Sequence, residues 1–472
     1  MNITQAAHPI RMVLKGSLNM HGAFASAGTE VRSGDDATLL RDGGGKVLLS
    51  GTGLKGALRS LMERILDAAS VESLFGKQDN ASRIVIEDAA LKAEGQKRHR
   101  VAINRKRGVA ANGLLFDQEM TGPDTAFPAR ITVKSSPETL EADRKALAWI
   151  KALLEEGAVT PGGGSRRSAG HCRLGEAKFA EYNKCEEDGL AEWLAKRPPT
   201  KEEKLPDLEL TGGSMRFLAV DLSLAFKDGV LVGGGDKKEE SSDLVAYAMT
   251  DAKGNERLVL PGGGIRGILR QEVERLWRLR GAGNVCDPTE AGGWCSAARK
   301  RTGGRDDGAD LCPVCALFGA VNWRAPLAIS DFVQHKDGNR NDQLVDHVAI
   351  NRFHGGAEES KKFDETPVFA DGFEGRVVLE NPTLKQLAVL AHLGLMAHDG
   401  ELWFGHSTHR GIGRLTGVTV KRLGLLQAAP WTAGLPAPFD GNAALITRLG
   451  GEMDWKAWLA ALEPAMQQLE EV

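Results

Sequence analysis

The chain repeats itself, and no other feature constrains its fold as strongly. LLSGTGLKGALRSLMERIL (48–66) answers LVLPGGGIRGILRQEVERLW (258–277), and SLFG (73–76) answers ALFG (316–319). Further on, RVAINRKRGVAANGLLFDQE (100–119) answers HVAINRFHGGAEESKKFDET (347–366). Last, TPGGGSRRSAGHCRLG (160–175) answers FGHSTHRGIGRLTG (404–417). Four blocks recurring in one order point to duplication. Two homologous domains are expected, roughly 1–185 and 212–425. A charged, proline-bearing linker (186–211) joins them, and an extension (426–472) follows. In that extension Trp455, Trp458, Leu459 and Leu462 fall at helical spacing.

The spacing between blocks locates an insertion. Gly56 to Leu74 is 18 positions and the matching step from Gly267 to Leu317 is 50, so the second domain carries about 32 extra residues. Cys286, Cys295, Cys312 and Cys315 all lie in that longer step, in the pattern C-x8-C-x16-C-x2-C. Four thiolates so close suit tetrahedral Zn²⁺ with no open position, which is a structural site. An iron–sulfur cluster is the minor alternative. The insertion, spanning about 280–316, is glycine-rich and charged, and a metal would pin what a core cannot. Cys172 and Cys185 have no matching partners and read as free thiols.

Each half follows one plan. A strand leads to a glycine-rich stretch, and a helix opens at SGTGLKG or PGGGIRG with Leu54, Leu58, Leu61 and Ile65 on one face. Strands follow at 83–88 and 325–332, then a second helix at 138–157 and 383–400, then a closing strand. That order, βα-ββ-αβ, predicts an α+β chain of two tandem ferredoxin-like domains of the RNA-recognition type. Apolar runs stay well short of a membrane span, and the start MNITQAAHPIRM lacks an apolar signal core, so a cytoplasmic protein with no membrane partner is expected.

Sixty Lys and Arg nearly cancel 63 Asp and Glu, for a formal charge of −3, so any nucleic-acid site must be a local basic field. Several segments qualify. A glycine-opened helix start exposes N–H groups to a phosphate, with Lys55 and Arg59, or Arg266 and Arg270, one turn apart beside it. The glycine/arginine loops carry Ser165, Arg166 and Arg167 in one half and His406, His409, Arg410 and Arg414 in the other. The run KRHRVAINRKR (97–107) holds six basic residues in eleven and includes Arg105, whose counterpart is Arg352.

These motifs in this order resemble the RAMP superfamily of CRISPR effector proteins. Gly-x-Gly-Leu-Lys-Gly-x-Leu-Arg, then LFG, A-I-N-R-x-x-G and G-x-x-S/T-x-R-G-x-G are similar to the backbone subunit of type III effectors. Here that subunit stands twice in one chain, as in the double subunits of subtype III-D. Ser50 stands where proline is usual, and GGGSRRSAGH lacks the R-G-x-G ending. The resemblance implies that the basic residues above grip a guide RNA. It also implies that the segments beginning at Asn104 and Asn351 form a projecting hairpin that wedges into the guide–target duplex. It further implies target-RNA cleavage by an aspartate after the first strand, which falls on Asp36 (beside Asp35) and Asp243, with Mg²⁺ or another divalent cation. His21 is a weaker candidate in that region. Partners would be guide RNA, complementary target RNA and other effector subunits. The alternatives are a structural subunit that binds guide and neighbours without chemistry, and a metal-independent guide-processing nuclease.

Overall fold

In the computed structural model the first domain is built on a four-stranded antiparallel sheet. The structure describes residues 8–26, 37–104, 109–164, 166, 168–233, 244–279, 285–286, 295, 310–336, 338–430, 443–451 and 460. The order of the first half is β1 (Ile10–Met20), α1 (Gly51–Met62), α2 (Ala68–Phe75), β2 (Ile84–Ile86), β3 (Ala126–Ser135), α3 (Leu140–Glu155) and β4 (Cys172–Asn183). The sheet runs β2-β3-β1-β4, so the first strand lies between the third and the last. The second half repeats this: β5 (Arg216–Phe226), α4 (Gly262–Leu279), α5 (Pro313–Phe318), β6 (Leu327–Ile329), β7 (Phe373–Glu380), α6 (Leu384–His398) and β8 (Leu415–Gln427). Its sheet contains the order β6-β7-β5-β8, again antiparallel. The duplication read from the sequence is thus a duplication of topology, on the ferredoxin-like plan.

The repeated glycines mark close approaches. A Cβ on Gly51 would stand 2.2 Å from the Ile86 carbonyl oxygen, and one on Gly262 would stand 2.4 Å from that of Ser330. Each opening helix therefore starts against the strand that follows it, which only glycine permits. Ser50 caps α1 through its side chain, which accepts from the Gly53 N–H, whereas proline occupies that position before α4. The LFG blocks end α2 and α5, with Gly76 and Gly319 both at φ +83.

The second sheet is buried on both faces, which explains why RFLAVDLSLAF reads as a nearly continuous apolar run. Leu218, Val220 and Leu224 pack beneath α4 and α6, while Phe217 and Ala219 face the first domain's core with Trp149 and Leu153 of α3. The two domains therefore share a core. The extension contributes a strand, Leu445–Gly451, that adds to the edge of β8. Its four periodic apolar residues lie outside the described residues. No helix among the described residues is long and apolar enough to cross a membrane.

Two hairpins lie outside the two main sheets, Gln96–Asn104 with Val109–Met120 and Val345–Ile350 with Ala357–Thr366. They carry the repeated AIN motif near their tips.

Candidate functional site

The glycine motifs of the first half converge. A cleft of about 470 Å³ is lined by Ser50, Gly53 and Leu54 from the start of α1 and by Pro161, Gly162 and Gly163 from the glycine/arginine loop. Gly51 and Gly262 are needed for packing, but the later glycines are not. A Cβ on Gly56, Gly264 or Gly267 would meet nothing within 4 Å, and one on Gly53 would touch only the Ser50 Cβ at 3.9 Å. A glycine inside a helix costs about 1 kcal/mol relative to alanine. No contact among the described residues asks for these, and they leave bare backbone open on the surface.

The basic residues beside the helix starts are held by the protein. Lys55 donates to the Ser82 hydroxyl at 2.5 Å, and burial, then Arg59, lowers its pKa. Arg59 donates to the Gly76 carbonyl and to Glu63, both at 2.9 Å. In the second half Arg266 donates to the Phe318 carbonyl. Arg270 is buried, with Nε 3.0 Å from Glu274 and an Nη 3.3 Å from Cys315 Sγ. The repeated arginines thus serve the C-terminal ends of α2 and α5, and Arg270 also faces the cysteines.

Those four cysteines form one cluster, as their spacing predicts. Their sulfurs all lie within 4.8 Å of one another, and each side chain is buried. Four sulfurs around a tetrahedral zinc at 2.3 Å stand about 3.8 Å apart. Cys286 lies 3.7 Å from Cys312 and 3.1 Å from Cys315, sulfur to sulfur. Cys312 N–H points at Cys295 Sγ (3.2 Å) and Cys315 N–H at Cys312 Sγ (3.4 Å), the outer hydrogen bonds that orient thiolate ligands. Hydrogen bonding from Cys286 and then Cys315 pulls the Cys312 thiol well below its ordinary pKa. The donor set fits a closed four-thiolate zinc site, with Arg270 offsetting part of its negative charge. The other two cysteines are free thiols, Cys172 buried and Cys185 exposed.

The basic hairpin divides into two parts. Arg98, 2% exposed, reaches across to the second domain and pairs with Asp331, which is fully buried, at 2.8 and 3.0 Å. Its Nε contacts the Tyr247 hydroxyl at 3.1 Å. Burial works against the Arg98 charge, but Asp331 more than offsets this and raises its pKa. Arg100 donates to Ser168, and His99 and Lys97 face Asp117. The inner half of the run is therefore structural. Arg105 lies outside the described residues, as do Ser165, Arg167, Asp35, Asp36 and Asp243.

In the loop of the first half Arg166 turns inward and pairs with Glu380 of β7, and burial lowers its pKa against the pull of that carboxylate. In the second half the loop is tied to its hairpin. Ser407, at φ 58, bonds both oxygens of the buried Glu365 at 2.6 and 2.7 Å, and Arg410 pairs with the same carboxylate while lying 4.7 Å above the Phe363 ring. His409 is exposed beside it, and Arg352 is exposed at the hairpin tip. Next to Arg352, Phe353 is 101% exposed, an aromatic ring that no composition argument had singled out. The pairing of Arg98 with Asp331 is not legible in the basic run either, although the recurrence of aspartate in RIVIED and LAISD marks the position.

The sequence profile of the RAMP superfamily matches residues 15–173 and 225–416. The chain belongs to that superfamily, and one matched region falls within each repeated half. It is therefore of the class of CRISPR-associated RNA-binding effector subunits. No curated protein matches the chain.

Proposed function

We propose that this chain is a double backbone subunit of a type III CRISPR effector, binding guide RNA along both domains and cutting complementary target RNA. The observation that carries the reading is the pair of solvent-open glycines, Gly53 and Gly56 answered by Gly264 and Gly267, at equivalent helix starts in two RAMP domains. Bare backbone there lets a sugar–phosphate chain approach closely, with no side chain in its way. Exposed Phe353 at the second hairpin tip offers a stacking face to a splayed base, with Arg352 beside it for phosphate. Lys55, Arg59, Arg266, His409 and Arg410 are assigned to RNA phosphates as well. Arg270 and Arg166 contribute by holding the frame.

Cleavage is assigned to Asp36 and Asp243, the carboxylates following the first strand of each half. A divalent cation such as Mg²⁺, when bound, would neutralise charge developing on the scissile phosphate. The test is single-turnover cleavage of complementary RNA by the assembled effector. Asp36→Ala should erase one product and Asp243→Ala the other, with target binding retained. If both products survive in the double variant, the chemistry belongs to another residue or another subunit, and this assignment fails. If one substitution abolishes both cuts, the two sites are not independent.

A further inference from the structure

The junction between the two domains is head-to-tail: a hairpin of the first is received by the helix start of the second. A heterologous contact of this kind leaves one donating face and one receiving face unused at the two ends. On the used receiving face, Asp331 Oδ1 accepts the Gly262 N–H at 3.0 Å and both carboxylate oxygens take the Arg98 guanidinium. Beside it Val259 pairs with Val333 and packs with Met249, against Ala23, Ala25 and Met120 of the first domain. Gln96 clasps the backbone of Thr250 from both sides, at 2.7 and 2.8 Å.

The first domain holds a second copy of that receiving face. Asp88 stands where Asp331 stands, and its Oδ1 accepts the Gly51 N–H at 2.7 Å. Leu48 pairs with Ala90 in the register of Val259 with Val333. The difference is occupancy. Asp331 is 0% exposed, while Asp88 and Ala90 are exposed, and the described residues give Asp88 Oδ2 no partner. We infer that the Asp88 face receives the β-hairpin of another RAMP-type chain, one that carries an arginine where this chain's first hairpin carries Arg98. The partner is a different chain because the second hairpin of this one, QLVDHVAIN, aligns Gln343 with Gln96 but Val345 with Arg98. A further copy would bring no guanidinium to the carboxylate. The inference deepens the proposed function by placing a neighbouring subunit, but it rests on the internal junction and not on RNA.

The experiment is site-specific photocrosslinking in the complex purified from cells that make it, with p-benzoylphenylalanine at the exposed position 90. The expected product joins residue 90 to a hairpin strand of another RAMP-type subunit, within a few residues of an arginine. Asp88→Arg should lower its yield by about tenfold or more, since a like charge then faces the guanidinium. The isolated Asp88→Arg chain gives up the Gly51 N–H bond, so it should melt a few degrees lower but still cooperatively, which separates lost docking from lost folding. A crosslink to the Val345 strand of a second copy, to a chain without a RAMP domain, or to no protein at all would overturn the inference. So would a yield indifferent to Asp88→Arg. If the RAMP crosslink forms in particles that contain no guide RNA, the inference stands and the RNA-binding reading fails.

Discussion

Replacing Gly56 and Gly267 with alanine separates the needs of the fold from those of a ligand. Both residues lie inside opening helices, and an added Cβ at either meets nothing within 4 Å. Alanine there removes the entropic penalty of helical glycine, about 0.5–1 kcal/mol each. The double variant should therefore gain about 1–2 kcal/mol, or about 2–8 °C in melting temperature for domains of this size. Guide-RNA affinity should move the other way if, as proposed, the sugar–phosphate chain passes closest at these two positions. A loss of about tenfold corresponds to about 1.4 kcal/mol. Denaturant unfolding and fluorescence anisotropy with a labelled guide, at one fixed salt concentration, measure the two effects. A variant that is more stable and binds RNA as well as before refutes the claim that these glycines exist for ligand approach. A variant that is less stable refutes the geometry.

Three further outcomes follow from contacts already described. Replacing Cys312 and Cys315 with serine should release about one zinc per chain by elemental analysis and loosen residues 286–315, leaving the first domain folded; wild-type protein without metal would contradict the site. Arg98→Ala strands a fully buried Asp331 and should cost about 3–5 kcal/mol in denaturant unfolding, while adding Asp331→Asn should recover part of the loss. His21 is held down to about 4 by burial and then by the Arg376 charge, so it is neutral in the fold while the unfolded chain still takes up a proton. Stability is unaffected above about pH 6.5 and falls as pH drops from there towards 4, by roughly 3 kcal/mol from this group. His21→Gln should flatten that part of the melting-temperature profile.

Much of the architecture was legible because duplication turns weak signals into repeated ones. The two sheets, the helices at 51–62, 140–155 and 384–398 and the cysteine cluster lie where periodicity and spacing put them. Local pattern failed where a side chain's partner lies in the other domain. Arg98 and Arg166 look like solvated charge in the sequence, yet Asp331 and Glu380 are more than 200 residues away and come together only when the domains dock. Arg270 resembles a phosphate ligand because its helix start does, but its contact with Cys315 joins residues 45 apart that local pattern does not connect. The strand at Leu445–Gly451 was hidden by the loop-like composition that precedes it.

The central claim is that one RNA runs across equivalent helix starts in both domains. Ultraviolet crosslinking of a uniformly labelled guide RNA in the assembled complex, with peptide mapping, tests it most directly. The account predicts crosslinks in both 50–56 and 261–267, to guide nucleotides separated by one constant domain repeat. Crosslinks in neither segment, or in one half alone, would contradict it.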